Sequence, residues 1–382
     1  MLTQIINGRI FTPQGWLNEG SVLMRDGKIL EVTNCDLALI GARLIDAKGM
    51  YIVPGFVCMH AHGGGGHDFT ECTEEAFRSI INAHLGHGAT SFYPTISSSP
   101  FEKLHQAAQV CEKLMAEPGS PVLGLHIEGP YLNKKMAGEQ FADQVKEIDG
   151  QEYRELVEST RCIRRWDASP ELPGALEFAS YLREKGILAA VSHTEAEYDG
   201  IRAAYEAGFT HAAHFYNAMP GFHKRREYKY EGTVESVYLT DGMTIELIAD
   251  GIHLPSTILK LAYKLKGVEH TCLVTGRPLL RRHRRQGNQR PALHHRRRCV
   301  QACRPLLIGR QYSPPWTCWC VLWSRRVSRW ATPCAWLRNP RHASWACTTA
   351  KVPLQNGQGR RQSSSLDKEL KHTRRVAGRK TL

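Results

Sequence analysis

Hydrophobic and polar positions follow two different rhythms along the chain. Over residues 1–50, short apolar stretches are punctuated by turn residues, and the pattern predicts strands at 4–11, 21–25, 28–32 and 43–46. Asp26-Gly27 separates two of these and is a two-residue hairpin signal, since such a turn needs positive φ at its centre. From residue 51 the rhythm changes to strand-length apolar runs separated by amphipathic stretches. Strands are expected at 51–59, 90–96, 122–127, 162–168, 187–193, 210–215, 244–249 and 271–275, with helices at 73–85, 100–115, 172–185, 196–207 and 255–265. Eight strands alternating with helices predict an α/β fold, a (β/α)8 TIM-like barrel; periodicity alone leaves an open doubly wound sheet as the alternative.

The candidate chemistry gathers at the C-terminal ends of the predicted strands, where barrel enzymes place their sites. The first ends in PGFVCMHAHGGGG, and its His60 and His62, two apart, face the same side of a strand. The third ends in GLHIEGPYLN with Glu128, the fifth in AAVSHT with His193, and the sixth in THAAHFYNAMP with His214. His211 in that last string reads as an ordinary structural histidine. Taken singly, a histidine pair is often a satisfied interior pair, and a Glu before Gly-Pro is often a surface residue. Together His60, His62, Glu128, His193 and His214 make an N/O ligand set suited to one or two divalent ions of the zinc or iron type rather than magnesium or calcium. Such an ion acidifies a water and polarises a carbonyl, the needs of amide hydrolysis.

Composition narrows the classes. A chain of 382 residues with 42% hydrophobic and 23% charged content has ample core and is not wholly disordered. It has no run of about 18 apolar residues and no signal-peptide layout at its start, so a cytoplasmic protein is expected. Twelve cysteines in this length do not make a disulfide scaffold. Cys35, Cys58, Cys72, Cys111, Cys162 and Cys272 read as small buried residues.

The strings PGFVCMHAHGGGG, GLHIEGPYLN, SHT, THAAHFYNAMP and IADGIHL resemble the N-acetylglucosamine-6-phosphate deacetylases of the amidohydrolase superfamily, over residues 5–275. The resemblance implies a metal-dependent (β/α)8 barrel on residues 51–275. It also implies a small β-sandwich built from both chain ends, 1–50 and 364–382, and a homodimer. It implies that Glu128, His193 and His214 hold the principal ion and that His60 and His62 supply a second site, which some members lack. Asn217 and the Ala218 N–H would bind the sugar phosphate, Arg226 would make a charge-assisted contact to it, and His253 would hydrogen-bond the amide or sugar. The basic run His223–Arg226, read without the resemblance, is a solvated turn. Two strings depart from the family: MAGEQ stands where members carry a KGAH-like string, and WDASPE replaces TLAPE.

The resemblance breaks at the eighth strand. Members end it in LVTDA, whose Asp moves the proton from the attacking water to the leaving amine; this chain reads LVTGRPLL, with Gly276 there. From Gly276 to Ser365 there are 18 Arg, one Lys and no Asp or Glu. The whole chain carries +13, so the remainder carries −6. The same block holds six of the eight Trp and six of the twelve Cys. Back-translation offers an explanation: Thr275–Pro278 can be written in codons that give T-D-A when one G is dropped, Ile308–Tyr312 in codons that a one-base shift turns into S-A-G-N, and RHASWACTTAKVP in codons that a further offset turns into ARIMGVYDRKGS. Residues 276–363 therefore read as an out-of-frame segment, and the literal chain is expected to fold poorly and be inactive.

Two rival readings are weaker. The run Arg281–Arg298 superficially resembles a nucleic-acid-binding segment, but a frameshift makes arginine-rich strings without selection, so a small-molecule amino-sugar phosphate is the expected partner, with neither nucleic acid nor membrane. Cys299, Cys303, Cys318 and Cys320 with His294 and His295 have spacings that fit structural zinc sites poorly. Among enzymes, the alternative is an amidohydrolase acting on a different N-acyl sugar or a cyclic amide.

Overall fold

The computed structural model describes residues 1–12, 14–35, 39–138, 140, 142–275, 362–366 and 372–376. Gly276, the paired histidines and four cysteines of the arginine-rich block, and most of the segment read as out of frame lie outside the described residues.

Eight strands form one parallel sheet in chain order: Phe56–Ala61, Ala89–Ser97, Leu125–Glu128, Ile163–Ala168, Leu188–Val191, Phe209–Ala212, Thr244–Ile248 and Thr271–Val274. The eighth comes round against the first, and the Thr275 hydroxyl donates to His60 O at 3.5 Å. The result is a barrel rather than an open sheet. Each expected barrel strand is present, though the third starts three residues later than expected and the fifth and sixth end two and three residues earlier; the largest difference is in the first. The first begins at Phe56; Pro54-Gly55 interrupts the run, and Tyr51–Ile52 belongs to a different sheet.

The outer helices are α1 (Glu74–Leu85), α2 (Phe101–Met115), α3 (Gly150–Ser159), α4 (Ala175–Glu184), α5 (Tyr198–Ala207), α6 (Thr233–Leu239) and α7 (Ser256–Lys266). Helix α1 shows how local sequence sets them. Thr73 caps it by accepting from Ala76 N at 3.2 Å, acidic Glu74 and Glu75 occupy its positive end, and Phe77, Ile80, Ile81 and Leu85 make one buried stripe against the sheet. Helices α3 and α6 are not among those expected from the sequence: α3 buries only Tyr153, Leu156 and Val157, and α6 is seven residues long; the start of α3 is set by Asp149, which accepts from the Gln151 and Glu152 amides. One continuous core joins the helices to the barrel wall, with Trp166, Phe178 and Tyr131 fully enclosed.

The chain ends build two small sheets. Lys28–Thr33, Ser21–Arg25, Leu2–Ile6 and Arg43–Asp46 form one, in that order. In the other, His372–Val376, Gln362–Leu366, Tyr51–Ile52, Arg9–Thr12 and Gly15–Leu17 lie side by side. The predicted strand 4–11 is thus two strands, split at Asn7-Gly8, where Asn7 turns the chain with φ of 56°.

Candidate metal centre

The ligand candidates stand where the barrel ladders stop. His60 is the last residue but one of the first strand with His62 just beyond its end, and Glu128 ends the third strand. His193 and His214 follow the fifth and sixth strands, both with positive φ, 47° and 28°. Left-handed backbone at two non-glycine residues is uncommon and turns each imidazole back over the mouth. Gly129 has a positive φ of 88°, and a Cβ there would meet Ser98 Oγ at 2.2 Å. Only glycine lets the chain leave the third strand on this path.

All five side chains converge on one buried point. Glu128 Oε1 lies 2.8 Å from His214 Nε2 and 3.3 Å from His193 Nε2. The two imidazole nitrogens are 3.2 Å apart. Glu128 Oε2 lies 3.0 Å from His62 Nε2 and 3.7 Å from His60 Nε2, and those two nitrogens are 3.1 Å apart. One carboxylate therefore faces two histidine pairs, one with each oxygen.

The protons decide what this arrangement wants. His193 Nδ1 faces Met136 O at 2.7 Å and His214 Nδ1 faces Asn217 O at 3.1 Å. A carbonyl only accepts, so each Nδ1 carries the hydrogen and each Nε2 presents a lone pair. Two lone pairs and a carboxylate oxygen crowd together, a repulsive cluster that a cation resolves. The separations match as well, because donors bonded near 2.0–2.1 Å to a tetrahedral ion sit about 3.3 Å apart. On the other side, His60 Nδ1 donates to Glu246 Oε1 at 2.5 Å, which again turns its Nε2 lone pair inward. These residues fit a divalent ion.

Without an ion, protons take the place of the cation. Burial pushes the Glu128 carboxyl up, but His60 and His62 outweigh it and hold the group well below the usual carboxylate range. Burial lowers the His60 pKa, yet Glu246 and Glu128 reverse this and raise it to about 10, so without an ion the ring holds a second proton on Nε2, the place an ion would take. At His214 burial dominates and the pKa falls.

The remaining candidates occupy different surroundings. Asn217 and Ala218 lie in the turn after the sixth strand, half-buried beside His214, and the Asn217 amide donates to His214 O at 3.0 Å. His253 is exposed at the seventh-strand loop, its Nδ1 donating to Asp250 Oδ2 at 2.7 Å. Arg226 sits at the tip of an exposed hairpin, Arg225–Tyr228 being its last paired residues, with φ of 55° and no ion pair among the described residues. Its neighbour Arg225 pairs with Glu197 at 2.7 Å and stacks on Tyr230 at 3.8 Å. His211 stays below the ligands, bonded to Thr244 Oγ1 at 2.7 Å.

Sequence reasoning missed five contributors, one of them Glu246 on the seventh strand, whose Oε1 accepts from His60 Nδ1. Gln140 donates to Glu128 Oε2 at 2.6 Å and accepts from Ser98 N at 2.9 Å; its only signal was the departure of MAGEQ from the family string. Asp250 carried an Asx-turn signal, accepting from the Ile252 and His253 amides. Arg165 and Asp167, two apart on the fourth strand, share an inward face that periodicity reveals as polar.

Comparison with known proteins supplies the remaining findings. The Amidohydrolase family model matches residues 51–293. The N-acetylglucosamine-6-phosphate deacetylase of Lysinibacillus sphaericus is 29% identical over 274 residues, 71% of this chain and 70% of that one. The enzyme of the same name from Haemophilus influenzae is 30% identical over 273 residues, with 71% and 70% covered. Among solved structures, a mutant N-acetyl-D-glucosamine-6-phosphate deacetylase from Mycobacterium smegmatis, in complex with N-acetyl-D-glucosamine-6-phosphate, superposes with a TM-score of 0.66 at 27% identity, covering 72% of this chain and 70% of that one.

Proposed function

The chain belongs to the amidohydrolase family, and on that premise we propose that its site is built to release acetate from N-acetylglucosamine 6-phosphate by metal-dependent hydrolysis. The observation that carries this reading is the convergence of the His193 and His214 lone pairs on Glu128 Oε1 at the barrel mouth. The relatives' substrate supplies the rest.

A divalent ion bound there acidifies water and polarises the acetamide carbonyl. Glu128, His193 and His214 hold the principal ion, and His60, His62 and the second oxygen of Glu128 offer a place for another. Asn217 and the Ala218 N–H, three and four residues after His214, bind the phosphate end of the sugar. Arg226 reaches the phosphate with a guanidinium fork that matches its oxygens. Asp250 fixes the His253 ring and so assigns its Nε2 edge to the substrate amide, where it stabilises negative charge developing on the carbonyl oxygen.

One function has no residue. The proton from the attacking water needs a base and the leaving amine needs an acid, and the position after the eighth strand is Gly276. We infer that residues 276–363 are read out of frame and that the intact protein carries Asp there. The test is acetate release, compared between the chain as written and its frame-restored form, with phosphorylated and unphosphorylated N-acetylglucosamine and a cyclic amide as substrates. Turnover confined to the restored chain and the sugar phosphate is expected. A restored chain that prefers the cyclic amide or the unphosphorylated sugar points to the alternative amidohydrolase reading.

A further inference from the structure

Beneath the ligands, the barrel interior holds a second polar layer that the reaction does not touch. Arg165 spans it. Its Nε and Nη2 donate to the two oxygens of Asp167 at 2.6 and 2.7 Å, and its Nη1 donates to Glu246 Oε2 at 2.7 Å. Glu246 Oε1 then accepts both His60 Nδ1 at 2.5 Å and the His214 backbone N–H at 2.8 Å. Every one of these side chains is buried. The fourth, seventh, first and sixth segments of the barrel wall are thereby tied together under the metal centre.

Buried ion pairs cost desolvation energy, and an apolar layer of the same volume is often more stable. The layer therefore calls for a role besides stability. It sets one guanidinium against two carboxylates, and the second carboxylate, Glu246, is the one that also faces His60. Asp167 itself is closed to a metal, since the guanidinium occupies both its oxygens, although His60, His126 and Asp167 cluster closely enough to hold one.

We propose that Glu246, held in place by Arg165, is a positioning residue for the ion at His60 and His62: it keeps the His60 proton on Nδ1, turns the Nε2 lone pair toward His62 and Glu128, and supplies the negative charge that favours a cation there. This rests on the metal-dependent reading above. Fixing the tautomer and orientation of a metal-binding histidine through its other nitrogen typically changes metal affinity about 10–100-fold.

The experiment titrates Co²⁺ into the full chain and its frame-restored form after chelator treatment, following visible absorption and bound metal by dialysis, with circular dichroism on every sample. Two ions per chain are expected for the parent. Glu246→Asp keeps the charge beside Arg165 but withdraws the carboxylate from His60; it is expected to retain the first ion and to bind the second at least about tenfold more weakly, as His62→Ala does. Glu246→Gln is expected to do the same, and if it fails to fold, Glu246→Asp decides. Equal affinity for the second ion in Glu246→Asp and parent overturns the proposal and leaves the metal-dependent reading standing. Loss of both ions from a folded Glu246→Asp also overturns it, since the layer then supports the whole barrel mouth. A folded parent that binds no ion overturns both.

Discussion

His214 and Asn217 hold each other in both directions: His214 Nδ1 donates to Asn217 O at 3.1 Å, and Asn217 N donates to His214 O at 2.9 Å. A proposed metal ligand and a proposed phosphate contact are thus locked in one four-residue turn. Both bonds use the backbone of residue 217, so they survive loss of its side chain. In the frame-restored chain, Asn217→Ala is expected to change metal affinity by less than about threefold while raising KM for the sugar phosphate about tenfold or more. Metal titration beside steady-state kinetics checks the split; a parallel loss of metal would refute the division of labour.

The crowded lone pairs at Glu128 make the folded state a better metal binder than the unfolded chain. Zinc at 100 times its dissociation constant is expected to stabilise the protein by about 2.7 kcal/mol, a shift of several degrees in Tm. Calorimetry with and without chelator measures it. His214→Ala should remove the shift, and an unchanged zinc response in that variant would place the ion elsewhere.

Glycine transfers no proton, so the chain as written should release acetate no faster than its His214→Ala variant. Restoring the frame, and with it the expected Asp at 276, should raise the rate by about 10²–10⁴. Resequencing the gene through codon 276 is the companion measurement. Clean reads in the present frame would end the frameshift explanation, whatever the kinetics show.

Lys266 offers a pH test remote from the metal. Its ammonium is buried at the end of α7, donating to Thr240 O at 2.6 Å, and burial depresses its pKa from 10.5 to about 8. Below pH 8 both folded and unfolded states carry the proton, and folding bears the cost of burying the charge. Between the two values the unfolded state holds more protons, so this residue makes stability rise with pH across that window, by up to about 3 kcal/mol. Lys266→Met should raise Tm at pH 7 and flatten the rise above pH 8. Thermal unfolding from pH 7 to 10 reads it, and a Met variant less stable at pH 7 contradicts the cost assigned to the charge.

What the chain alone determined was everything that repeats locally. Strand alternation and helical stripes are set by neighbours a few residues apart, so the eight barrel strands were legible, as was the His60/His62 spacing that places two rings on one face. Local pattern failed where it was thin: α3 has too few apolar residues to show a stripe, and two apolar runs that read as single strands concealed, in one, the break at Asn7-Gly8 and, in the other, the passage of Tyr51–Ile52 into another sheet. Only the tertiary structure decided how Glu128 divides its oxygens between two histidine pairs, and that Arg165 and Glu246 lie beneath His60. Those relations join residues tens to nearly two hundred positions apart. Proton positions and buried charge depend on distance through space and on the loss of water, neither of which sequence spacing records.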